Sequence, residues 1–313
     1  MNAGHKYYYS LLSEYERCIY DQLFEGLLNH ELKIKVNNCT CTKLSEVYEK
    51  VILDNPDIYF VKSIKIRVSV PGMGNCVIPS YRFDREQCRA IDDKITEIIA
   101  PVIGRIRYLS DFEKEKAIHD FLIDRTEYKD LEAPYSHEMP GAIIYGIGVC
   151  EGIAKAFKYM ADKVNLNSIV VIGEADGIGH AWNIVKINGD YYHLDTTYDL
   201  GASKQAYMVR YDYFNVSDEN MINRSYRKEL LPKCNQEFGF YYKQGLYAKS
   251  FSELKRIIGG SKNKIITVQL PVIECENDEL LNHIIVACNE NVRAREYEII
   301  PNFEMYIFTI KLK

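Results

Sequence analysis

The stretch that most limits what this chain can become runs from Gly146 to Asp199, because it sets a helix, a hairpin and a group of reactive side chains in one short span. After Cys150 the apolar residues Ile153, Ala154, Phe157, Met160, Ala161 and Val164 recur at steps of three and four. That spacing predicts a helix with one core-facing stripe and with Lys155, Lys158 and Asp162 in water. Cys150 then stands at or just before the first turn, where unpaired backbone N–H groups and the positive end of the helix dipole favour thiolate over thiol. Gly146 and Gly148 permit a tight approach to that turn.

Downstream, Asn188-Gly189 is a strong signal for a two-residue turn, and residues 180–187 and 190–197 on either side read as strands. Counting outward from the turn, Val185 opposes Tyr192 and Trp182 opposes Asp195. His180, Trp182 and Ile184 therefore share a face with Tyr191, His193, Asp195 and Thr197. Asp195 becomes the diagonal cross-strand neighbour of His180, roughly 7–8 Å away between backbones, a gap two side chains can close. A carboxylate there would fix the imidazole tautomer and stabilise its charged form, provided no bulge flips the parity. Cysteine, histidine and aspartate so arranged make the inventory of a thiol acyl-transfer site, with His193 competing for the histidine role.

G-V-C-E-G, H-A-W-N and D-T-T-Y-D, in that order and at this spacing, resemble the Cys-His-Asp core of the bacterial transglutaminase-like superfamily, whose fold is related to papain-like proteases. The likeness extends upstream through S-D-F-E-K-E-K-A-I-H-D-F-L-I-D-R-T-E-Y and D-N-P-D-I-Y-F-V, covering about residues 11–250. Ile153 stands where the family commonly has an aromatic and Tyr198 where it often has tryptophan, which bears on the substrate cleft. The resemblance implies an α+β fold with the nucleophile helix packed on an antiparallel sheet, and it favours His180 over His193. It also implies a catalytic set of Cys150, His180 and Asp195: thiolate attack on an amide carbonyl, protonation of the leaving amine by His180, and orientation of His180 by Asp195. The backbone N–H of Cys150 supplies half of an oxyanion hole, with Tyr145 a candidate for the other half. Trp182 reads as a shield for the imidazole, a wall for substrate, or core. Water as acceptor gives a peptidase or amidase acting on peptides or proteins, and a primary amine gives a transglutaminase. A third possibility, a module that binds peptide without turning it over, sits poorly with three matched residue types. Nothing in the chain implies calcium or any other cofactor.

The bounds agree with an enzyme of this kind. A chain of 313 residues, 47% apolar, is long enough for two domains or one large one. A net charge of −5 with no Lys/Arg run argues against a nucleic-acid surface. No window reaches the 18 or so apolar residues of a membrane span, and the start M-N-A-G-H-K-Y-Y-Y lacks the apolar core of a secretory signal. Nine cysteines without framework spacing fit a reducing compartment, so the chain reads as cytoplasmic, or secreted if a signal has been removed. Cys39-Thr-Cys41 has no second pair with a nearby histidine and reads as thiols rather than zinc.

Along the rest of the chain, Ser13-x-x-Glu16 and Ser110-x-x-Glu113 predict capped helices. Residues 43–54 and 84–100 predict two more, with strands at 32–36, 58–70 and 77–83 and a turn at Pro71, Gly72 and Gly74. Residues 127–147, with Pro134 and Pro140, show no period and lead straight to the nucleophile, as cleft loops do. Three regions result: a helix-and-strand cap over 1–107, a catalytic domain over 108–237, and a small α/β domain over 238–313. The last is read as strand 240–248, a helix from Phe251, strand 265–272, helix 277–289 and strand 305–312.

Overall fold

Ser13, Asp84 and Ser110 each accept a backbone N–H three residues on, while Glu16, Gln87 and Glu113 reach back to the capping residue, so three helices start on reciprocal caps. The computed structural model describes residues 5–313 apart from 38, 68–74, 132–134, 222, 237, 274 and 293–295. Helices and strands are mixed in an α+β architecture, and the chain divides into two compact units: Met1–Gly189 with Arg224–Pro232, and Asp190–Asn223 with Lys233–Lys313.

The first unit begins with α1 (Tyr7–Ser10), α2 (Glu14–Leu28), β1 (Ile34–Val36), α3 (Cys41–Asp54), β2 (Val61–Arg67), β3 (Asn75–Tyr81), α4 (Arg85–Ile106) and α5 (Asp111–Arg125). The three strands form an antiparallel sheet in the order β1-β3-β2. The turn expected at Pro71, Gly72 and Gly74 lies outside the described residues. Helix α4 runs past the expected stop at Ala100 and takes Pro101 inside it. Proline removes one N–H donor, but the buried stripe Ile95, Ile99, Val102, Ile103 and Ile106 carries the helix onward.

Next come β4 (Glu127–Tyr128), β5 (Ile147–Gly148), α6 (Cys150–Lys163), β6 (Ser168–Ala175) and β7 (Ile178–Ile187). β6 and β7 pair antiparallel with Gly173 opposite His180, and strand Arg224–Tyr226 pairs with the free side of β6. Asn183 on β7 donates to the Ala154 carbonyl of α6 at 3.1 Å, tying helix to sheet.

Two lysines on α6 depart from the amphipathic expectation. Lys155 is buried and paired with Glu138 at 2.9 Å and Glu151 at 2.8 Å. Lys158 is buried too, pairs with Asp162 at 2.6 Å and donates to the His5 carbonyl at 3.1 Å. Periodicity puts them on the wet side; the 136–138 loop and the N-terminal segment then cover that side, and both charges are tolerated because they are paired. Burial alone would lower the Lys155 pKa, but the two glutamates outweigh it and hold it above the usual range.

At the start of the unit, buried Asp54 accepts the N–H of Tyr8 at 3.0 Å and of Tyr9 at 2.8 Å, and the Tyr20 hydroxyl at 3.2 Å. Burial pushes its carboxyl up to about 6 in spite of these donors. With a folded pKa above the unfolded one, the folded state holds the proton more tightly. The resulting stability is present in full below the unfolded value and is lost as pH rises through 6. Relative to Asp54→Asn, the wild-type protein is expected to lose about 2–3 kcal/mol between pH 4 and pH 7. Thermal melts of both proteins across that range check it; parallel curves would exclude the effect.

In the second unit, β8 (Asp190–Leu194), α7 (Thr196–Ala206) and β9 (Phe214–Val216) follow in order, with β8 and β9 antiparallel. The turn residues Asn188 and Gly189 both have positive φ, 53° and 102°, as a two-residue turn of the expected kind requires. β8 ends at Leu194 rather than running to 197, because Asp195 leaves the strand to cap α7. Strands Ile265–Gln269, Ile307–Leu312 and Tyr297–Asn302 make an antiparallel sheet in that order. Helices Phe251–Gly260 and Asn277–Asn291 share its core through Leu254, Ile258, Leu280, Ile284, Val268 and Phe308. Residues 240–248, expected as a strand, begin instead with a helical turn, Phe240–Lys243. The unforeseen strand Tyr297–Asn302 contains Pro301, which is tolerated because the strand lies at a sheet edge. Buried Asp212 joins the parts of this unit: it accepts Arg210 at 2.9 and 2.7 Å, the Tyr241 hydroxyl at 3.0 Å and the Asn302 amide at 2.9 Å. No helix among the described residues is long and apolar enough to cross a membrane.

Candidate active site

Cys150 is the first residue of α6, and the residue before it, Val149, has no side-chain oxygen with which to cap. The first-turn N–H groups are thus left for other partners, with the sulfur at the positive end of the helix. Loop residues close over this turn from one side. The Val149 N–H donates to the Ser136 carbonyl at 3.0 Å, and a Cβ on Gly152 would stand 2.2 Å from that same oxygen. Only glycine at 152 lets the loop lie there. Glu138 on the loop is held by Lys155, so the buried ion pair on α6 also fixes what borders the thiol. Gly146, at φ 66°, takes the left-handed conformation that swings the chain into β5.

β4 pairs with β5 in parallel, setting Tyr128 opposite Gly148, two residues before the cysteine. This places Tyr128 close enough to Cys150 for the two to influence each other electrostatically. Its pKa is raised, first by burial and then by the Cys150 sulfur and Asp130. Tyr145, the residue the sequence offered for this place, ends the π-helical turn Gly141–Tyr145, is exposed, and has the Lys94 ammonium 5.9 Å over its ring. Among the described contacts, Tyr128 is the tyrosine that meets Cys150. A two-residue strand has no readable period, so the sequence carried no local signal for Tyr128.

His180 lies on β7 in the same unit as Cys150, nearly buried, with its ring stacked on Trp182 at 5.8 Å. Trp182 is 1% exposed, meets Tyr226 edge-on at 5.4 Å, and reaches over Gly173, where a Cβ would stand 2.8 Å from the indole. The indole is thus packed against the His180 ring and almost closed to solvent. Helix α6 returns to β6 through residues 164–167 and so runs against it; β7 also runs against β6, hence α6 and β7 run the same way. From the Asn183–Ala154 bond, His180 and Cys150 both lie toward the element starts, at one end of this layer.

Asp195 belongs to the second unit, fully buried at the start of α7. Its N–H donates to the Tyr213 carbonyl at 2.9 Å, and its Oδ1 accepts the Tyr198 N–H at 3.1 Å. Asp199 accepts the Tyr213 N–H at 2.9 Å, a structural duty. His193, the rival histidine, is fully buried, with Nε2 3.0 Å from Asp218.

Residues 103–196 match the family model of the transglutaminase-like superfamily. Among solved structures, one described as a TGase aligns at 15% identity over 44% of each chain with a TM-score of 0.32. A Cytophaga hutchinsonii protein described as a candidate cysteine protease aligns at 15% identity and a TM-score of 0.29, over 43% of this chain and 62% of its own. The chain thus spans less than two thirds of either neighbour's length. No curated protein matches it. The segment that carries Cys150 and His180 is thus similar, over residues 103–196, to the transglutaminase-like superfamily.

Proposed function

We propose that the protein is a thiol hydrolase that cleaves amide bonds in peptides or proteins through an acyl-enzyme on Cys150. The observation that carries this reading is the surroundings of the sulfur: an uncapped helix start, with Tyr128 set beside it by the β4–β5 pair. Attack by the thiolate leaves negative charge on the carbonyl oxygen, and the Cys150 N–H and Tyr128 O–H are the two donors that receive it. His180 protonates the leaving amine and then takes a proton from the deacylating nucleophile.

Water is the proposed acceptor. Transfer to an amine requires a cleft that excludes water at about 55 M while ordering a lysine side chain. Tyr128 is 51% exposed and Cys150 only partly buried, which supports an acyl-enzyme open to solvent. A glutamine-containing protein incubated with a fluorescent primary amine should show bond cleavage or ammonia release and little incorporated label, all lost in Cys150→Ala. Cys150-dependent labelling without cleavage or deamidation would establish a transglutaminase instead.

A further inference from the structure

Among the described residues, one group outside the Cys150 site gathers metal-binding side chains from three separate segments of the second unit. His193 on β8, Asp218 just after β9, and Cys234 in the irregular segment after Pro232 bring their ligand atoms within 4.8 Å of one another. His193 and Cys234 are completely buried, while the Asp218 side chain keeps 26% of its exposure. The carboxylate is held in place. Its Oδ2 accepts the Cys234 N–H at 2.9 Å and Oδ1 lies 3.0 Å from His193 Nε2, while the Asp218 N–H donates to the Cys234 carbonyl at 2.7 Å. This reciprocal backbone pair fixes the two segments against each other and orients a ligand the way backbone partners orient metal-bound carboxylates.

We propose that His193, Asp218 and Cys234 form a site for a thiophilic divalent cation of the zinc type. A nitrogen, sulfur and oxygen donor set suits zinc, whereas calcium and magnesium take oxygen alone. Bonds of about 2.0–2.3 Å around a tetrahedral ion place ligand atoms about 3.3–3.6 Å apart, so the His193–Asp218 pair at 3.0 Å opens by a few tenths of an ångström while separations within the 4.8 Å cluster that exceed this close. Binding moves the imidazole proton to Nδ1, leaving Nε2 to coordinate, and releases the thiol proton of Cys234 to solvent; nothing is oxidised or reduced. Water completes the shell from the exposed Asp218 side. The ion would tie β8, at a point two residues before Asp195, to the segment that carries Cys234.

The test uses Co2+ as the probe on chelator-stripped full-length protein, with the thiolate-to-cobalt charge-transfer band as the signal and Zn2+ as the competitor. One equivalent is expected to give the band, and Zn2+ to abolish it. Cys234→Ala is expected to remove the band, and Asp218→Asn, which keeps both buried ligands, to weaken binding about 10–100-fold. Cys150→Ala should leave the band intact, which separates this site from the proposed nucleophile. No band with the wild-type protein, or a band lost with Cys150→Ala and kept with Cys234→Ala, would overturn the proposal.

Discussion

His180→Ala is expected to lower Cys150-dependent acyl transfer by about 10⁴-fold or more, and to slow alkylation of Cys150 by iodoacetamide near neutral pH. In the proposed mechanism both effects have one cause: removing the imidazole takes away the partner that stabilises the thiolate and the acid that protonates the leaving amine. His193→Ala should leave most of the alkylation rate, because that ring is buried against Asp218 in the other unit. Peptide mapping after brief iodoacetamide treatment reads each of the nine cysteines separately. Equal labelling of Cys150 in wild type and His180→Ala, or a loss confined to His193→Ala, would discard His180 as the base.

Tyr128→Phe is expected to cut kcat by about 10²–10³-fold with KM changed little, the size of effect seen when one oxyanion donor is removed. Alkylation supplies the distinguishing control. Attack on iodoacetamide's methylene carbon builds no carbonyl oxyanion, so Tyr128→Phe should react with it at close to the wild-type rate while failing at acyl transfer. If both reactions fall together, Tyr128 acts by positioning the sulfur; if neither falls, the second donor lies elsewhere.

Elements with a local cause were legible in advance: the capping boxes at Ser13 and Ser110, the Asn188-Gly189 turn, and the apolar stripe of α6. What escaped was set by distant chain. Lys155 and Lys158 are polar by period and buried by segments far along the sequence. The end of β8 moved because capping α7 satisfies helix N–H groups that a longer strand would leave without a partner. Tyr128 reaches Cys150 through a strand pair only two residues long, and His193 finds Asp218 and Cys234 across 25 and more residues. Residue types and order thus pointed to the family and the segment, while Tyr128 beside Cys150 and the grouping of His193, Asp218 and Cys234 required the backbone to be folded first.

The Asp212 hub makes the frame of α7 depend on the far C-terminus. Asp212 is completed by Tyr241 and Asn302, and the unit it holds together is the one from which Asp195 comes. A protease nick that shed the chain beyond 240 would strip two of the three donors from a buried carboxylate and loosen the frame of α7, while leaving the Cys150 segment whole. Such a clipped molecule would keep Cys150 and His180 in their own unit and lose the frame in which Asp195 is buried.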